Sequence, residues 1–111
     1  MATLLPGTLE MLILRTLALE RMHGYAIAQH IARVSRNALL IEKGSLYPAL
    51  ERLQRSGWVT SKWAESPTGR QARYYSITAS GRRALGEEVS AFNEMTEAIA
   101  LVLNPEPDSG N

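Results

Sequence analysis

Residues 43–53 are the segment that most constrains the fold of this chain. Leu46, Leu50 and Leu53 recur at i, i+4 and i+7, a spacing that predicts a short helix with one buried stripe. The other positions are mostly polar or aromatic and are expected to face outward or lie on the flanks. The segment therefore predicts a helix that is anchored by leucines and presents a polar face to a partner.

The ends and the outer face of this helix carry further signals. Ser45 is the predicted N-cap, and Pro48 is placed in the first turn, where its missing N–H removes no helical bond. Gly57 is the predicted C-terminal stop. Tyr47 and Arg52 are predicted to face outward. Such a helix has the properties that a reader of a DNA groove needs.

Length and composition indicate a single small domain. A chain of 111 residues with 45% apolar residues can form a core, and a domain of this size gains stability by pairing with a second chain. The absence of Cys excludes disulfides and thiolate metal sites. Arg15 interrupts the apolar residues 11–19, so no membrane span is predicted. The N-terminus lacks the basic, then apolar, then cleavable order of a signal peptide, so none is predicted either. The expected location is the cytoplasm.

The net charge of +1 conceals two regions of opposite sign. Residues 1–83 hold all 12 Lys and Arg with five acidic residues, a net charge of +7, whereas residues 84–111 hold six acidic residues and no basic one. A basic region suits a polyanionic partner, which would repel the acidic end. The alternative is that these charges only solvate the surface.

The remaining chain divides into helices followed by strands. The predicted elements are a first helix over residues 9–19, a break at 22–25, a second helix with Ile27, Ile31 and Val34 on its buried stripe, a possible small strand at 39–41, the third helix described above, and two strands over 58–65 and 71–78 joined by a turn at 66–69. The strand at 58–65 places Val59, Ser61 and Trp63 on one face. This order predicts a mainly α, α+β fold of the winged helix-turn-helix type.

Residues 79–103 are predicted to form a long helix with a heptad seam. The seam positions follow steps of 4, 3, 4, 3 and 4 and are Leu85, Val89, Phe92, Thr96, Ile99 and Leu103. A helix of about 36 Å is longer than one small winged domain can cover, so the seam is expected to pair with another chain; packing within one subunit is the alternative. The predicted organisation is a DNA-binding domain at 1–78, a dimerisation helix at 79–103 and a flexible tail at 104–111.

Candidate DNA contacts cluster on one predicted surface. In a winged helix-turn-helix the third helix enters the major groove and the hairpin contacts the backbone or the minor groove. The candidate DNA-binding residues are His23, Tyr25, Lys43, Ser45, Tyr47, Pro48, Arg52, Lys62, Arg70 and Arg73. Tyr47 and Tyr75 could instead be packing residues, of which we favour packing for Tyr75 and contact for Tyr47. Arg52 could instead pair with a nearby Glu.

Four motifs in register resemble the PadR family of bacterial transcriptional regulators. They are residues 7–14 (GTLEMLIL), 22–27 (MHGYAI), 42–50 (EKGSLYPAL) and 69–78 (GRQARYYSIT), followed by Gly81. The resemblance covers roughly residues 4–103 and implies a dimeric winged helix-turn-helix protein, usually a repressor of a nearby operon. The single C-terminal helix is similar to the short branch of the family. No cofactor is implied.

The effector, if there is one, is left unknown by the sequence. Some proteins of the family bind planar drugs between tryptophans of their C-terminal helices, but both Trp residues of this chain lie in the first wing strand. Phe92, Met95, Met11 and Leu14 could line a pocket, although an apolar stripe at helical spacing is more often core.

Other classes of protein fit the sequence less well. Two His residues without Cys or paired carboxylates do not suggest an enzyme or a metal site. A winged-helix module that binds proteins would be expected to have lost Arg70 and Arg73. An RNA-binding protein would be expected to show an aromatic platform with interleaved basic residues.

Overall fold

The computed structural model describes Leu4, residues 7–105 and Pro107. Within them the chain forms helices and one antiparallel sheet in the order α1 (Thr8–Leu17), β1 (Met22–His23), α2 (Gly24–Val34), α3 (Lys43–Arg55), β2 (Val59–Glu65), β3 (Gln71–Ile77) and α4 (Ala79–Leu103). We call the hairpin of β2 and β3 the wing. The proposed tail at 104–111 lies largely outside the described residues.

The core forms where α1, α2 and α3 meet the inner face of the sheet. The predicted leucine stripe of α3 is confirmed, because Leu46, Leu50 and Leu53 are each at most 2% exposed. They pack in one cluster with Ile13 and Leu14 of α1, which are fully buried. Burial of each such side chain contributes about 1.5–3 kcal/mol, so α3 is fixed to the body by one face.

The start of α3 differs from the sequence prediction. Ser45 is not the N-cap: the helix begins at Lys43, and the cap residue is Glu42, whose carbonyl accepts from the backbone N–H of Leu46 at 2.9 Å. Pro48 consequently lies inside the helix and not in its first turn. The break in the hydrogen-bond ladder falls at the carbonyl of Gly44, and because Gly44 is exposed, water can solvate that carbonyl.

The predicted end of α3 is confirmed. Gly57 has a φ of 78°, the left-handed conformation that glycine adopts without steric cost. Its N–H donates to the carbonyl of Gln54 at 3.0 Å, and the N–H of Trp58 donates to the carbonyl of Leu53 at 3.1 Å. This pair of bonds is a Schellman motif, which ends the helix and leads directly into β2.

The sheet has one strand more than the sequence predicted. The wing is as expected, with a register that runs from Val59↔Ile77 to Glu65↔Gln71. The predicted break at 22–25 instead contains β1, which pairs with β3 and gives the order β1-β3-β2. A strand of two residues is too short to show a period-2 pattern in the sequence. It is recognised only by its pairing with β3 in the structure.

Two expectations before α3 are wrong. No strand forms at residues 39–41, which cross the surface as an irregular connection with Leu40 47% exposed. Val34 does not join Ile27 and Ile31 in the core but is 63% exposed. Val34 is the last residue of α2, and the chain turns away just beyond it through left-handed residues at 36–37.

The long C-terminal helix is confirmed at Ala79–Leu103. Its N-cap is Thr78, whose Oγ1 accepts from the N–H of Gly81 at 3.0 Å and donates to the carbonyl of Gly57 at 2.8 Å. The first turns of α4 thus join the end of the wing to the body and pack against α1. The order of helices and strands up to Ile77 is that of a winged helix-turn-helix.

Candidate nucleic-acid interface

An open groove separates α3 and the start of α2 from the wing. It has a volume of about 830 Å³, and a further groove of about 520 Å³ continues beside it along α3. The residues that line the larger groove include five of the predicted DNA contacts, namely His23, Tyr25, Tyr47, Arg70 and Arg73. The fold therefore gathers residues from the start of α2, from α3 and from both strands and the turn of the wing on one concave surface.

Tyr47 stands at the centre of this surface and is 43% exposed. Its ring lies against the backbone of Gly24, the first residue of α2. A Cβ at position 24 would lie only 2.5 Å from the Tyr47 hydroxyl oxygen and 2.8 Å from Cζ. Glycine at this position therefore allows the ring to lie between the two helices, and its other side remains open to a ligand.

His23 caps α2 and lies beside the groove. Its Nδ1 accepts from the backbone N–H of Ala26 at 3.2 Å, so a neutral ring in this arrangement carries its proton on Nε2. The ring contacts Tyr74 edge to face with centroids 5.5 Å apart, and the guanidinium of Arg21 lies 4.9 Å from the centroid of Tyr74. The structural role of His23 is thus to start α2, with Nε2–H left to donate elsewhere.

A hydrogen-bond network joins the wing to α3. Ser61 Oγ of β2 accepts from Gln54 Nε2 at 2.9 Å and from Arg73 Nε at 2.8 Å. The network fixes the guanidinium of Arg73 on the groove side of the sheet. Sequence reasoning missed Gln54 and Ser61; the available signal was a polar Ser61 on the strand face that also carries the buried Val59.

Arg52 does not lie on this surface, contrary to its place among the predicted DNA contacts. It is on the side of α3 that faces α1, where its Nε and Nη2 donate to the Glu10 carboxylate at 3.3 and 3.2 Å. The sequence left open the alternative that Arg52 pairs with a Glu, and the structure shows this pairing. Arg52 follows Tyr47 by five positions, which places the two on different faces of a helix with 3.6 residues per turn.

The remaining predicted contacts lie outside the lining of the groove. Lys62 pairs in register with Tyr74, on the opposite face of β2 from Ser61 and Trp63. Lys43, Ser45 and Pro48 are exposed in the first half of α3, next to the groove but not among the residues that line it.

The groove is electropositive. Among the described residues that line its larger part there is no Asp or Glu, while Arg70 and Arg73 contribute two guanidinium groups. Glu51 lines the adjoining part, but its carboxylate accepts from Arg55 Nη1 at 3.0 Å. Two arginines, tyrosine hydroxyls and amides, in a lining whose larger part has no carboxylate among the described residues, can bind a polyanionic backbone.

Tyr75 forms the buried floor between the two parts of the groove. It is 5% exposed, which agrees with the packing role favoured from the sequence. Burial raises its pKa above the usual value; the charge of Arg73 opposes this shift, and the neighbouring Tyr47 adds to it. The phenol is therefore neutral at physiological pH.

The predicted dimerisation residues divide into two groups. Leu85 is only 8% exposed and belongs to the core of its own subunit, and Val89 also packs against that core. Leu85 is therefore an intrasubunit residue and not part of a seam open to a partner. Phe92, Ile99 and Leu103, by contrast, are 40%, 45% and 71% exposed, and Thr96 is exposed as well.

A second, apolar groove lies between the start of α1 and α4. It has a volume of about 250 Å³ and is lined by Met11, Phe92, Met95 and Ile99 among others. Three of the four residues proposed for a pocket from the sequence meet here; the fourth, Leu14, is fully buried and lines a different cavity.

The described residues offer no sign of metal or membrane chemistry. They contain no cluster of three or more His, Cys, Asp or Glu that could hold a metal ion. None of the helices in this part of the chain is long and apolar enough to cross a membrane.

The winged helix-turn-helix fold and the basic groove define the class of a DNA-binding regulator, and comparison with known proteins gives the family. Residues 13–87 match the transcriptional regulator PadR-like family. The chain belongs to this family. Its members are transcriptional regulators, so the chain is a DNA-binding regulator of transcription and not an enzyme.

Individual relatives agree with this assignment. The chain is 33% identical over 87 residues to the transcriptional regulator Rv3488 of Mycobacterium tuberculosis, covering 78% of each chain. A PadR family regulator from Eggerthella lenta superposes with a TM-score of 0.77 at 30% identity, covering 90% of this chain and 85% of that one. A PadR-like factor from Bacteroides fragilis gives 0.71 at 31% identity, covering 86% and 90%.

Proposed function

We propose that the chain is a homodimeric repressor that binds an inverted-repeat operator, with α3 in the major groove and the wing on the adjoining backbone or minor groove. The observation that carries this proposal is the electropositive groove that Tyr47 of α3 lines together with the wing arginines Arg70 and Arg73. As a regulator of this kind it would act in the cytoplasm, where bacterial DNA is found.

The assignment of roles follows from the geometry of duplex DNA. The exposed face in the first half of α3 carries Lys43, Ser45, Tyr47 and Pro48. Hydroxyls there can reach base edges, and the ring of Tyr47 can contact a thymine methyl. Arg70 immediately follows the Ser66–Gly69 turn of the wing, where the N–H of Gly69 donates to the carbonyl of Ser66 at 2.9 Å. A guanidinium at a hairpin tip suits the negative potential of the minor groove.

The exposed apolar residues of distal α4 support the proposal of a dimer. From Phe92 onward its heptad positions Phe92, Ile99 and Leu103 are exposed apolar side chains on a helix that has left the body. Exposed apolar residues in a heptad pattern are typical of a helix that pairs with a partner helix. In a symmetric dimer the α1–α4 groove of one subunit would receive side chains from α4 of the other.

A two-fold dimer requires an operator with two related arms. The arms should be about one helical turn apart, or a multiple of it. From the resemblance to the family we expect arms similar to ATGT and ACAT. Selection of bound duplexes from a random pool, followed by footprinting, tests this geometry; a single undivided and non-palindromic site would reject it.

Two substitutions separate base reading from electrostatic anchoring. Tyr47→Ala should cost roughly 1–3 kcal/mol per half-site on the selected operator and much less on random DNA, if the side chain reads a base. Arg70→Ala should weaken binding to both duplexes by similar factors. It should also reduce the salt slope by about one unit for each lost phosphate contact per subunit.

The affinities of the wild type and of both variants for the operator and for a random duplex are measured across a salt series. Because the Tyr47 ring packs against Gly24, the Tyr47 variant must first be shown to be a folded dimer by circular dichroism and sedimentation. Unchanged operator preference in a folded Tyr47 variant would remove α3 from the role proposed here. An unchanged salt slope for Arg70→Ala would do the same for the wing.

A further inference from the structure

Trp63 is a large aromatic side chain that the wing leaves open to solvent. It is 65% exposed, whereas the large apolar residues of β3 on the same face of the sheet, Tyr75 and Ile77, are buried and half-buried. Trp63 is therefore not needed to close the core of the winged domain. An exposed indole is informative here because it lines the same groove as Arg70 and Arg73, and tryptophan offers both an apolar face and an N–H donor.

The position of Trp63 is set by the register of the wing. It lies opposite Arg73 of β3, on the face of the sheet that also carries Ser61 and Tyr75. The hydrogen bond from Gln54 of α3 to Ser61 shows that this face looks toward α3. Trp63 accordingly lines the wing side of the larger groove, and Tyr47 lines the α3 side.

We propose that Trp63 packs against the sugar–phosphate strand that runs through this groove, with its ring on a deoxyribose and its Nε1–H donated to a phosphate oxygen. This inference rests on the proposed function. If α3 occupies the major groove and the wing tip lies at the neighbouring minor groove, the strand that separates the two grooves must pass between α3 and the wing.

The chemistry of the groove suits such a strand. A nucleotide backbone presents an apolar sugar next to an anionic phosphate. Tryptophan combines an apolar face with one N–H donor, and the guanidinium of Arg73 lies on the neighbouring strand in register with it. The described lining lacks a carboxylate that would repel the phosphates. An apolar protein surface would be a poorer match, because it would bury the arginines unpaired.

A contact of this kind leaves a thermodynamic signature that distinguishes it from an arginine contact. The indole is uncharged and releases no counterions, so its loss should leave the salt slope unchanged. It touches the backbone and not the bases, so its loss should weaken operator and random duplex by the same factor. We expect a drop of about tenfold per subunit, from the apolar area returned to water.

The first experiment compares Trp63→Thr, Trp63→Phe and Leu19→Ala for binding to a selected operator and a random duplex of about 30 base pairs. Threonine removes the ring but keeps a residue type that favours strands, and phenylalanine keeps an apolar ring. Leu19 is 56% exposed and is absent from the groove lining, so it controls for loss of exposed apolar surface. Trp63→Thr should lose affinity on both duplexes, Trp63→Phe should keep most of it, and Leu19→Ala should match the wild type.

Three outcomes overturn the inference. Unchanged affinity of Trp63→Thr would show that the ring has no contact with DNA. A reduced salt slope would show that Trp63 acts only by holding Arg73. A loss on the operator alone would show that it reads bases. In each case Arg70→Ala still tests the proposed function separately, and failure of the wild type to bind any duplex would reject that function itself.

The second experiment follows the indole directly. Trp58 and Trp63 are the two tryptophans of the chain, so Trp58→Phe leaves Trp63 as the single tryptophan, whose emission can be excited selectively at wavelengths that tyrosine does not absorb. Addition of the random duplex should protect Trp63 from acrylamide quenching, with the same midpoint as binding. Equal quenching with and without saturating DNA would contradict the proposal. Protection that depends on protein concentration without DNA would assign the ring to contacts between copies of the chain.

Discussion

The winged body, which comprises α1 to β3 and the first turns of α4, differs from distal α4, residues 92–103, in how its apolar side chains are covered. In the body, Ile13, Leu14 and Leu50 are at most 1% exposed inside a single chain. In distal α4, Phe92 and Ile99 remain 40% and 45% exposed although their spacing is equally regular. Helical periodicity thus predicts an apolar face in both regions, but only long-range packing decides whether the same chain covers it.

The two regions also differ in charge. The basic residues all lie before position 84, while residues 84–111 are acidic only. Within the described part of that acidic end, Glu87, Glu88, Glu94 and Glu97 all lie on α4. A DNA backbone would attract the basic wing and repel the acidic distal helix, so the charge pattern favours an orientation in which α4 points away from the duplex. The two regions should therefore respond to different mutations.

The largest effect is expected from Phe92→Asp, which acts on the distal helix alone. A carboxylate at this position would be desolvated without a partner in a helix pair, and we expect association to weaken by about 3–5 kcal/mol. The winged body should keep its fold, because Phe92 lies outside its buried cluster. Sedimentation should show a species of monomer mass with helical circular dichroism.

The matched control is Ser90→Asp, which adds the same charge two residues away at an exposed position off the heptad seam. It should remain a dimer. If both variants dissociate, total charge and not the seam controls assembly. Complete unfolding of Phe92→Asp would show that the winged body depends on distal α4 for its fold.

The body could be predicted in most of its elements because its signals are local. The leucines of α3, the Gly57 stop and the two wing strands all follow from spacing or from a single residue type. The start of α3 could not be fixed in the same way. Glu42 supplies only a backbone carbonyl and makes no side-chain cap bond, so the sequence pointed to Ser45 instead.

The candidate site was predictable in part for the same reason. The positions of Tyr47 on α3 and of Arg70 at the wing turn follow from the local pattern of those elements. The partner of Arg52, by contrast, is Glu10, 42 residues earlier in the chain. Likewise the Gln54–Ser61 bond depends on how the wing folds back on α3. Contacts between distant segments have no local pattern, and the sequence therefore could not show that Arg52 pairs with Glu10 and lies outside the groove lining.

A smaller effect is expected from Gly24→Ala, which sharpens the comparison within the body. The added methyl would displace the Tyr47 ring, whose hydroxyl end lies 2.5 Å from the new Cβ position. We expect operator preference over random DNA to fall by about 1–2 kcal/mol per half-site, with dimer mass unchanged. The urea unfolding free energy should change by only about 0.5 kcal/mol, because a side-chain end moves more easily than backbone.

A double-mutant cycle controls this result. Gly24→Ala should have no further effect on preference in the Tyr47→Ala background, because the two substitutions act through the same ring. Additive losses would show that position 24 affects DNA binding independently of Tyr47.

Arg52→Ala is expected to have a still smaller effect. It tests whether every basic residue of the winged body contacts DNA. The Arg52–Glu10 pair is partly exposed, with side-chain exposures of 49% and 23%, so its loss should reduce the unfolding free energy by at most about 1 kcal/mol. The salt slope of operator binding should stay at the wild-type value, in contrast to Arg70→Ala. A slope reduced as much as that of Arg70→Ala would place Arg52 on a phosphate.

The smallest effect is expected from Tyr75→Phe, and it appears only at alkaline pH. Burial raises the pKa of the Tyr75 phenol above its usual value of 10.0, so the unfolded chain loses this proton at a lower pH than the folded chain. The associated stability is fully present below pH ~10 and is lost as the pH rises through the folded pKa. Phenylalanine has no proton to lose, so the wild type minus variant difference in unfolding free energy should be constant up to pH ~9 and then fall. Urea unfolding of both proteins from neutral to alkaline pH measures this difference, in which the titration of other residues cancels. A flat difference across the whole range would mean that Tyr75 ionises equally easily in both states and that the floor of the groove is open to water.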